Sequence, residues 1–252
     1  MTSPLLTARE GGILTLTLNR PDKRNALSSE LIDLLHQSLE AADLDSQVRV
    51  VLLRGAGKDF CAGADLEELL ASADHTPAAN EAAALRLGRL FVRIRELPKP
   101  VVAVVHGRAL AGGAGLATAC DLVIAGVGAH LGYPEIQRGF APAMVMALLR
   151  RLVGEKVALD LVLTGRVLPA EEARKAGLLT RVVADADLER EGRSLAQALA
   201  GSSGSALALT KQLFFQLDTR SLPEGIALGA KVNALARSTP DFRDAIAKFL
   251  NR

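Results

Sequence analysis

Leu14, Leu16 and Leu18 alternate with Thr15 and Thr17. That period of two predicts a half-buried strand over Ile13–Leu18. Residues 19–26 are polar and include Pro21, and read as a loop. Ser28 can cap a helix reaching about Leu44, with Leu31, Leu34, Leu35 and Leu39 as its apolar stripe. The run VRVVLLR at 48–54 ends at Gly55 and Gly57 and predicts a second strand. Residues 59–65 form a loop in which Asp65 can cap a short helix starting at Leu66. The small, polar stretch 71–80 predicts mobile chain, and a helix follows over 81–96, stopped by Pro98 and Pro100. Val101–Val105 is apolar and β-branched enough for a buried strand, and 122–125 is another. The glycine-rich segment 107–115 lies between them. From about Ala143 the pattern is mostly helical. It includes a strand near 180–183, a helix start at Pro169–Glu172, and a last helix over 242–250 with Asp241 as its cap. Strands alternating with helices, followed by helices alone, predict an α/β fold with a helical C-terminal extension.

Composition narrows the class. The 252 residues suffice for one large domain. With 49% hydrophobic residues the chain has material for a core, and with no Trp that core must be aliphatic. A net charge of +2, without long basic runs, argues against nucleic-acid binding. No apolar run approaches the roughly 18 residues of a membrane helix. Cys61 and Cys120 stand alone, as expected of a reduced, cytoplasmic protein.

Several chemistries lack their residues. No GxxxxGK[ST] or GxGxxG phosphate loop occurs, no GxSxG nucleophile elbow, and no HExxH. His36, His75, His106 and His130 are isolated in sequence, so neither a metal nor a resident cofactor is expected.

Two segments carry candidate chemistry. Asp59–Leu66 reads DFCAGADL and His106–Gly115 reads HGRALAGGAG, and each follows a strand and leads into a helix. Free backbone N–H groups at a helix start bind anions, and small residues allow close approach. Two such groups converging on one oxygen would form an oxyanion hole. Glycine-rich turns of this kind also serve purely as packing devices.

These segments resemble the crotonase (enoyl-CoA hydratase/isomerase) superfamily. So do NRPDKRNAL at 19–27, LGYPEIQRGFAP at 131–142 and VGEKVALDLVLTGRVLPAEEARKAGLLTRVV at 153–183, all in family order. The resemblance implies a spiral core of ββα turns over 1–195, which carries the coenzyme A and oxyanion sites. It also implies a helical region over 196–252 for homotrimer or hexamer formation and for covering the active site. It implies that the N–H groups of Ala64 and Gly112 polarise a thioester carbonyl, and that the coenzyme A belongs to the substrate.

Hydratases of the family use two glutamates. The position three residues after the oxyanion glycine is Gly115 here, whereas Glu135 matches the other. One carboxylate can shift a proton between carbons and convert a 3-enoyl to a 2-enoyl thioester. Overall likeness suggests hydratase activity, and Gly115 suggests isomerase activity. Thioester hydrolysis and a non-catalytic acyl-CoA- or RNA-binding role are further alternatives. Asp65, Glu67, Glu68 and Tyr133 are possible substitutes for the absent glutamate. By the same resemblance Ala62, Ala26, Asp65 and Leu66 line the ligand site, as does Tyr133. Lys23 and Arg24 are candidates to meet phosphate oxygens, with a solvated turn as the alternative, and the resemblance implies that Phe249 and Arg252 contact a neighbouring subunit's ligand, with helix packing the alternative for Phe249.

Overall fold

The computed structural model describes residues 3–251. Strands β1 (Leu5–Glu10), β2 (Ile13–Leu18), β3 (Val50–Gly55), β4 (Val101–Val105), β6 (Leu122–Gly126) and β9 (Arg181–Val183) form one sheet in that order. Every pairing in it is parallel except β1 with β2. The sequence reading lacked β1, of which only Leu5 is buried. The missed signal was Gly11-Gly12, whose φ values of +54° and +83° make the two-residue turn that joins β1 to β2.

A second sheet pairs β5 (Arg108–Leu110), β7 (His130–Gly132) and β8 (Val167–Pro169). Three-residue strands carry no readable alternation, so β5 was expected as glycine-rich loop. Its register is supplied by its partner, with Leu110 opposite Gly132.

Helices fill the crossovers. α1 (Ser29–Leu44) joins β2 to β3, and Ser28 caps it as expected, accepting from the Leu31 N–H at 3.3 Å. α2 (Leu66–Ala71) and α3 (Pro77–Glu96) join β3 to β4, and α4 (Gly112–Ala119) precedes β6. The stretch expected to be mobile is ordered. A 3-10 turn covers Ser72–Asp74, and α3 starts at Pro77 because the Thr76 hydroxyl accepts from the Ala79 N–H. Thr before Pro is a capping signal outweighed in the sequence reading by the surrounding small residues. α5 (Ala143–Leu152), α6 (Glu155–Thr164) and α7 (Ala170–Lys175) follow β7 and flank β8.

β3 and β4 are buried on both faces, which explains their unbroken apolar runs. One face packs with Leu16, Leu31, Leu35, Phe60, Leu90 and Ile94. The other carries Val50, Leu52, Val102 and Val104 under α8 (Leu188–Ala200), through Leu188 and Ala196. A division at residue 195 therefore falls inside a helix that belongs to the core. The helices that stand off the sheet begin with α9 (Gly204–Gln216) and continue as α10 (Leu222–Ser238) and α11 (Pro240–Leu250).

Lys211 pins α9 to the core, donating to the carbonyls of Ile94 and Lys99 and, at 2.7 Å, to the Asp121 carboxylate. Burial pushes the Lys211 ammonium below and the Asp121 carboxyl above their ordinary ranges. α11 is capped by Thr239, not Asp241. Asp241 instead accepts from the hydroxyls of Ser203 and Ser205 and from the Ser205 N–H, tying α11 to the start of α9. Among the described residues no helix is long and apolar enough to cross a membrane.

Candidate active site

Three stretches distant in sequence meet here, and their backbones are paired. Leu27 donates to the Gly63 carbonyl at 2.8 Å and accepts from the Asp65 N–H at 3.1 Å. In such a parallel bridge the residue between the two bonds turns its own N–H away. That residue is Ala64, and no acceptor for its N–H occurs among the described residues. Cys61 is bridged to Ala109 in the same way, through bonds to Arg108 and Leu110. The loop before α2 is thus clamped between residues 25–27 and β5.

The second donor sits at the N-terminus of α4. Ala111 adopts φ +52° and ψ −125°, a conformation that costs a non-glycine residue about 1–3 kcal/mol. Its N–H donates to the Gly132 carbonyl at 2.8 Å and its own carbonyl accepts from Gly115 at 2.9 Å, and together these bonds hold the strain. The turn leaves the Gly112 N–H at the positive end of the helix dipole, without an acceptor among the described residues. Gly63, at φ +100°, lets the loops touch. A Cβ there would lie 2.9 Å from the Ala111 Cβ, 3.0 Å from the Leu110 carbonyl and 3.5 Å from the Gly112 nitrogen. Leu27 and Leu87 flank Gly112 with hydrocarbon. Two unpaired N–H groups beside aliphatic side chains suit a developing oxyanion.

The Ala111-to-Gly132 bond also brings in the segment that carries Glu135. That residue lies in the 3-10 turn Pro134–Arg138, is 7% exposed, and its Oε2 is buried without a partner among the described residues. Burial raises its carboxyl above the ordinary value, against a smaller opposing contribution from its own backbone N–H and from Arg138.

Other nearby carboxylates are engaged. Asp65 caps α2 through the N–H groups of Glu67 and Glu68 and binds Arg20 at 2.8 Å. Burial opposes its ionisation, but Arg20 and the two N–H groups prevail and hold it below the usual range. Glu68 accepts from the Ser29 N–H and hydroxyl, and Glu67 pairs with Lys23. Asp59 grips Arg108 in a two-pronged pair at 2.9 and 2.8 Å, which with the Arg108 N–H lowers its carboxyl pKa. Position 115 offers no acid, and a Cβ on Gly115 would collide with Val145 and Phe91. Among the described residues no group of three or more His, Cys, Asp or Glu is placed to hold a metal.

The sequence profile of the enoyl-CoA hydratase/isomerase family matches residues 8–252. The chain belongs to that family. A Thermus thermophilus relative, provisionally named an enoyl-CoA hydratase, is 42% identical over 98% of each chain. Escherichia coli 2,3-dehydroadipyl-CoA hydratase is 37% identical, with 99% of this chain and 96% of that one aligned. E. coli 1,2-epoxyphenylacetyl-CoA isomerase is 34% identical over 98% and 95%. The crystal structure of a Mycobacterium smegmatis enoyl-CoA hydratase superposes with a TM-score of 0.94 at 32% identity, covering 98% of this chain and 96% of that one. The crotonase-type α/β fold expected from the sequence is thereby established.

Within this family member the remaining expected site residues fall into three groups. Ala26, Ala62 and Leu66 gather around the clamped loop. Ala62 donates to the Arg24 carbonyl, Ala26 is buried, and Leu66 is 58% exposed at the start of α2. Lys23 and Arg24 are exposed on the adjoining turn. Of the expected acid–base substitutes, Asp65 and Glu68 hold other partners, Glu67 is exposed and pairs with Lys23, and Tyr133 is buried in the core. Tyr133 is fully buried with its hydroxyl 3.5 Å from that of Thr118, and burial raises its pKa. Asp65 likewise spends its side chain on structure, not on open ligand-binding surface. Phe249 is 71% exposed on α11, which packs against α9 and α10. Arg252 lies outside the described residues.

Asn25 emerged as the organiser of the loops. It is fully buried at φ +55°, donates to the carbonyls of Ala56 and Asp59, and accepts from the Arg20 N–H. Asn tolerates that left-handed backbone, and its amide meets two acceptors and a donor at once. The Cys61 thiol, pushed up to about 12 by burial, donates to the Asn25 carbonyl. Asn25→Ala should lower unfolding stability by about 2–4 kcal/mol, because one buried and two part-buried backbone groups lose partners. Chemical denaturation checks this, and a change below about 0.5 kcal/mol would contradict the role.

Proposed function

We propose that this enzyme acts at the double bond of an enoyl-CoA thioester and moves a proton between carbons, converting a 3-enoyl to a 2-enoyl-CoA. The observation that carries the reading is Glu135: a buried carboxylate with a free oxygen, on the segment that Gly132 fastens to the oxyanion loop. The Ala64 and Gly112 N–H groups hold the thioester oxygen. Glu135 takes a proton from C2, and the C–H electrons pass into a dienolate whose negative charge rests on that oxygen. Glu135 then returns the proton to C4, so that the double bond lies between C2 and C3. Its raised pKa suits a group that must first accept and then donate.

The coenzyme A of the substrate would lie along residues 23–27 and 62–66. Lys23 is held only by an exposed pair with Glu67, and such pairs are worth about 0–1 kcal/mol, so it can turn to a phosphate at little cost. Arg24 adjoins it. Phe249, on α11, would serve a neighbouring copy, with Arg252 beyond it. The exposed Leu222, Ile226, Leu235, Phe242 and Ile246 on α10 and α11 support a homotrimer or a hexamer.

Hydration is the second reading, favoured by the hydratase names of the Thermus and E. coli relatives. The two part in one assay. The protein is incubated separately with 3-enoyl-CoA and 2-enoyl-CoA of several chain lengths, and the 2-enoyl chromophore is followed. Appearance from the 3-enoyl substrate is expected. Disappearance of 2-enoyl-CoA into a 3-hydroxyacyl product, without isomerisation, would overturn the proton-shift reading.

A further inference from the structure

Gly115 lies in the first turn of α4, a helix buried along its whole length. A Cβ at this position would sit 2.5 Å from Val145 Cγ1, 2.8 Å from Phe91 Cζ and 3.1 Å from Phe91 Cε2. Phe91 comes from α3 and is 2% exposed, and Val145 comes from α5 and is 3% exposed. Neither is the loose end of a flexible side chain. One is an aromatic ring and the other a β-branched methyl, and both belong to the main core. α3 and α5 also approach each other at Gly88, where an added Cβ would meet Met144 at 3.4 Å. Making room at 115 therefore means moving a helix in a close-packed interior.

We propose that Phe91 and Val145 are the specificity determinants of this site: they fill the space into which a second acid on α4 would project, and so reserve the reacting carbons for proton transfer by Glu135. The inference rests on the proton-shift reading. Hydration of a 2-enoyl thioester puts the water oxygen on C3, one proton on C2 and the other on a base. That water must be held while it reacts, and a held water needs about two to four polar partners. Hydrocarbon at the head of α4 supplies none. Moving a proton from C2 to C4 consumes no water and needs one carboxylate, so a dry wall serves it.

The test compares the parent with Val145→Thr, Gly115→Glu, and the triple variant Phe91→Ala/Val145→Ala/Gly115→Glu. For each, the 2-enoyl and 3-hydroxyacyl products formed from 3-enoyl-CoA are quantified by mass spectrometry alongside the melting temperature. Gly115→Glu alone is expected to melt well below the parent with no gain in hydration. The triple variant is expected to hydrate 2-enoyl-CoA at least tenfold faster than the parent. Val145→Thr, which keeps Gly115 and the shape of the side chain but adds a hydroxyl that together with Glu135 gives a water two partners, is expected to raise the ratio of hydrated to isomerised product at least threefold, and it decides the matter if the triple variant does not fold. Gly115→Glu melting like the parent and hydrating as well as the triple variant would overturn the proposal. So would a folded triple variant without the gain, or an unchanged product ratio in Val145→Thr. If the parent isomerises and these ratios stay flat, only the role of Phe91 and Val145 falls. If the parent itself hydrates and does not isomerise, the proton-shift reading falls with it.

Discussion

Glu135→Gln is expected to lower kcat/KM for the thioester by about 10²–10⁴, the usual contribution of a positioned acid–base group. Glutamine keeps the size of the side chain and its place in the 3-10 turn but can neither accept the C2 proton nor return one. KM should change little, because the proposed coenzyme A contacts lie on other loops. The pH dependence follows from the direction of the pKa shift. Proton abstraction needs the carboxylate, so kcat/KM of the parent should fall as pH drops through the raised pKa. That acid limb should lie above the ordinary 4.5 and be missing from the residual rate of the variant. Stability runs the other way. A carboxyl whose folded pKa is raised contributes stability that is present below about 4.5 and lost as pH rises through the folded value. Above its folded pKa the parent thus carries a buried, ionised oxygen without a partner, and the neutral variant should melt higher there. For a chain of this size each kcal/mol recovered is worth about 2–4 °C. A variant with parental kcat/KM would remove Glu135 from the role, and one melting below the parent above that folded pKa would contradict the unpartnered buried carboxylate.

Gly63→Ala should produce the next largest effect, a fall of about 10²–10³ in kcat/KM, the cost typical of losing one oxyanion donor. The backbone there is left-handed at φ +100°, and the new methyl would meet the Ala111 methyl at 2.9 Å and the Leu110 carbonyl at 3.0 Å. The loops must separate by a few tenths of an ångström, or Gly63 must rotate. Either movement redirects the Ala64 N–H, the next donor along the chain, or the Gly112 N–H, whose nitrogen is 3.5 Å from the added carbon. Backbone strain should also cost about 1–2 kcal/mol of stability. Kinetics should separate this from general damage, because a site that has lost convergence on the oxyanion loses kcat while holding the coenzyme A moiety as before. A folded Gly63→Ala enzyme with unchanged kcat would show that the two loops do not act as one oxyanion site.

Much of this protein was legible before folding, for reasons of local chemistry. The alternation of Leu and Thr specified β2, the apolar runs specified β3 and β4, and Ser28 and Asp65 announced the helices that they cap. The motif segments, taken together and in order, pointed to the family and to Ala64, Gly112 and Glu135 as candidates. Features that depend on partners remote in sequence were not legible. β5, β7 and β8 are too short to show a period and exist because they pair. Thr239 took the cap expected of Asp241, whose carboxylate found two serines on another helix. Nor could the sequence show that Asp65 and Glu68 find Arg20 and Ser29 as partners, brought near by the fold. Gly115 shows the division most clearly. The sequence alone determined that no carboxylate stands there. Only tertiary packing decided that none would fit, because the space beside a glycine belongs to whichever side chains the neighbouring helices deliver, and α3 and α5 deliver Phe91 and Val145.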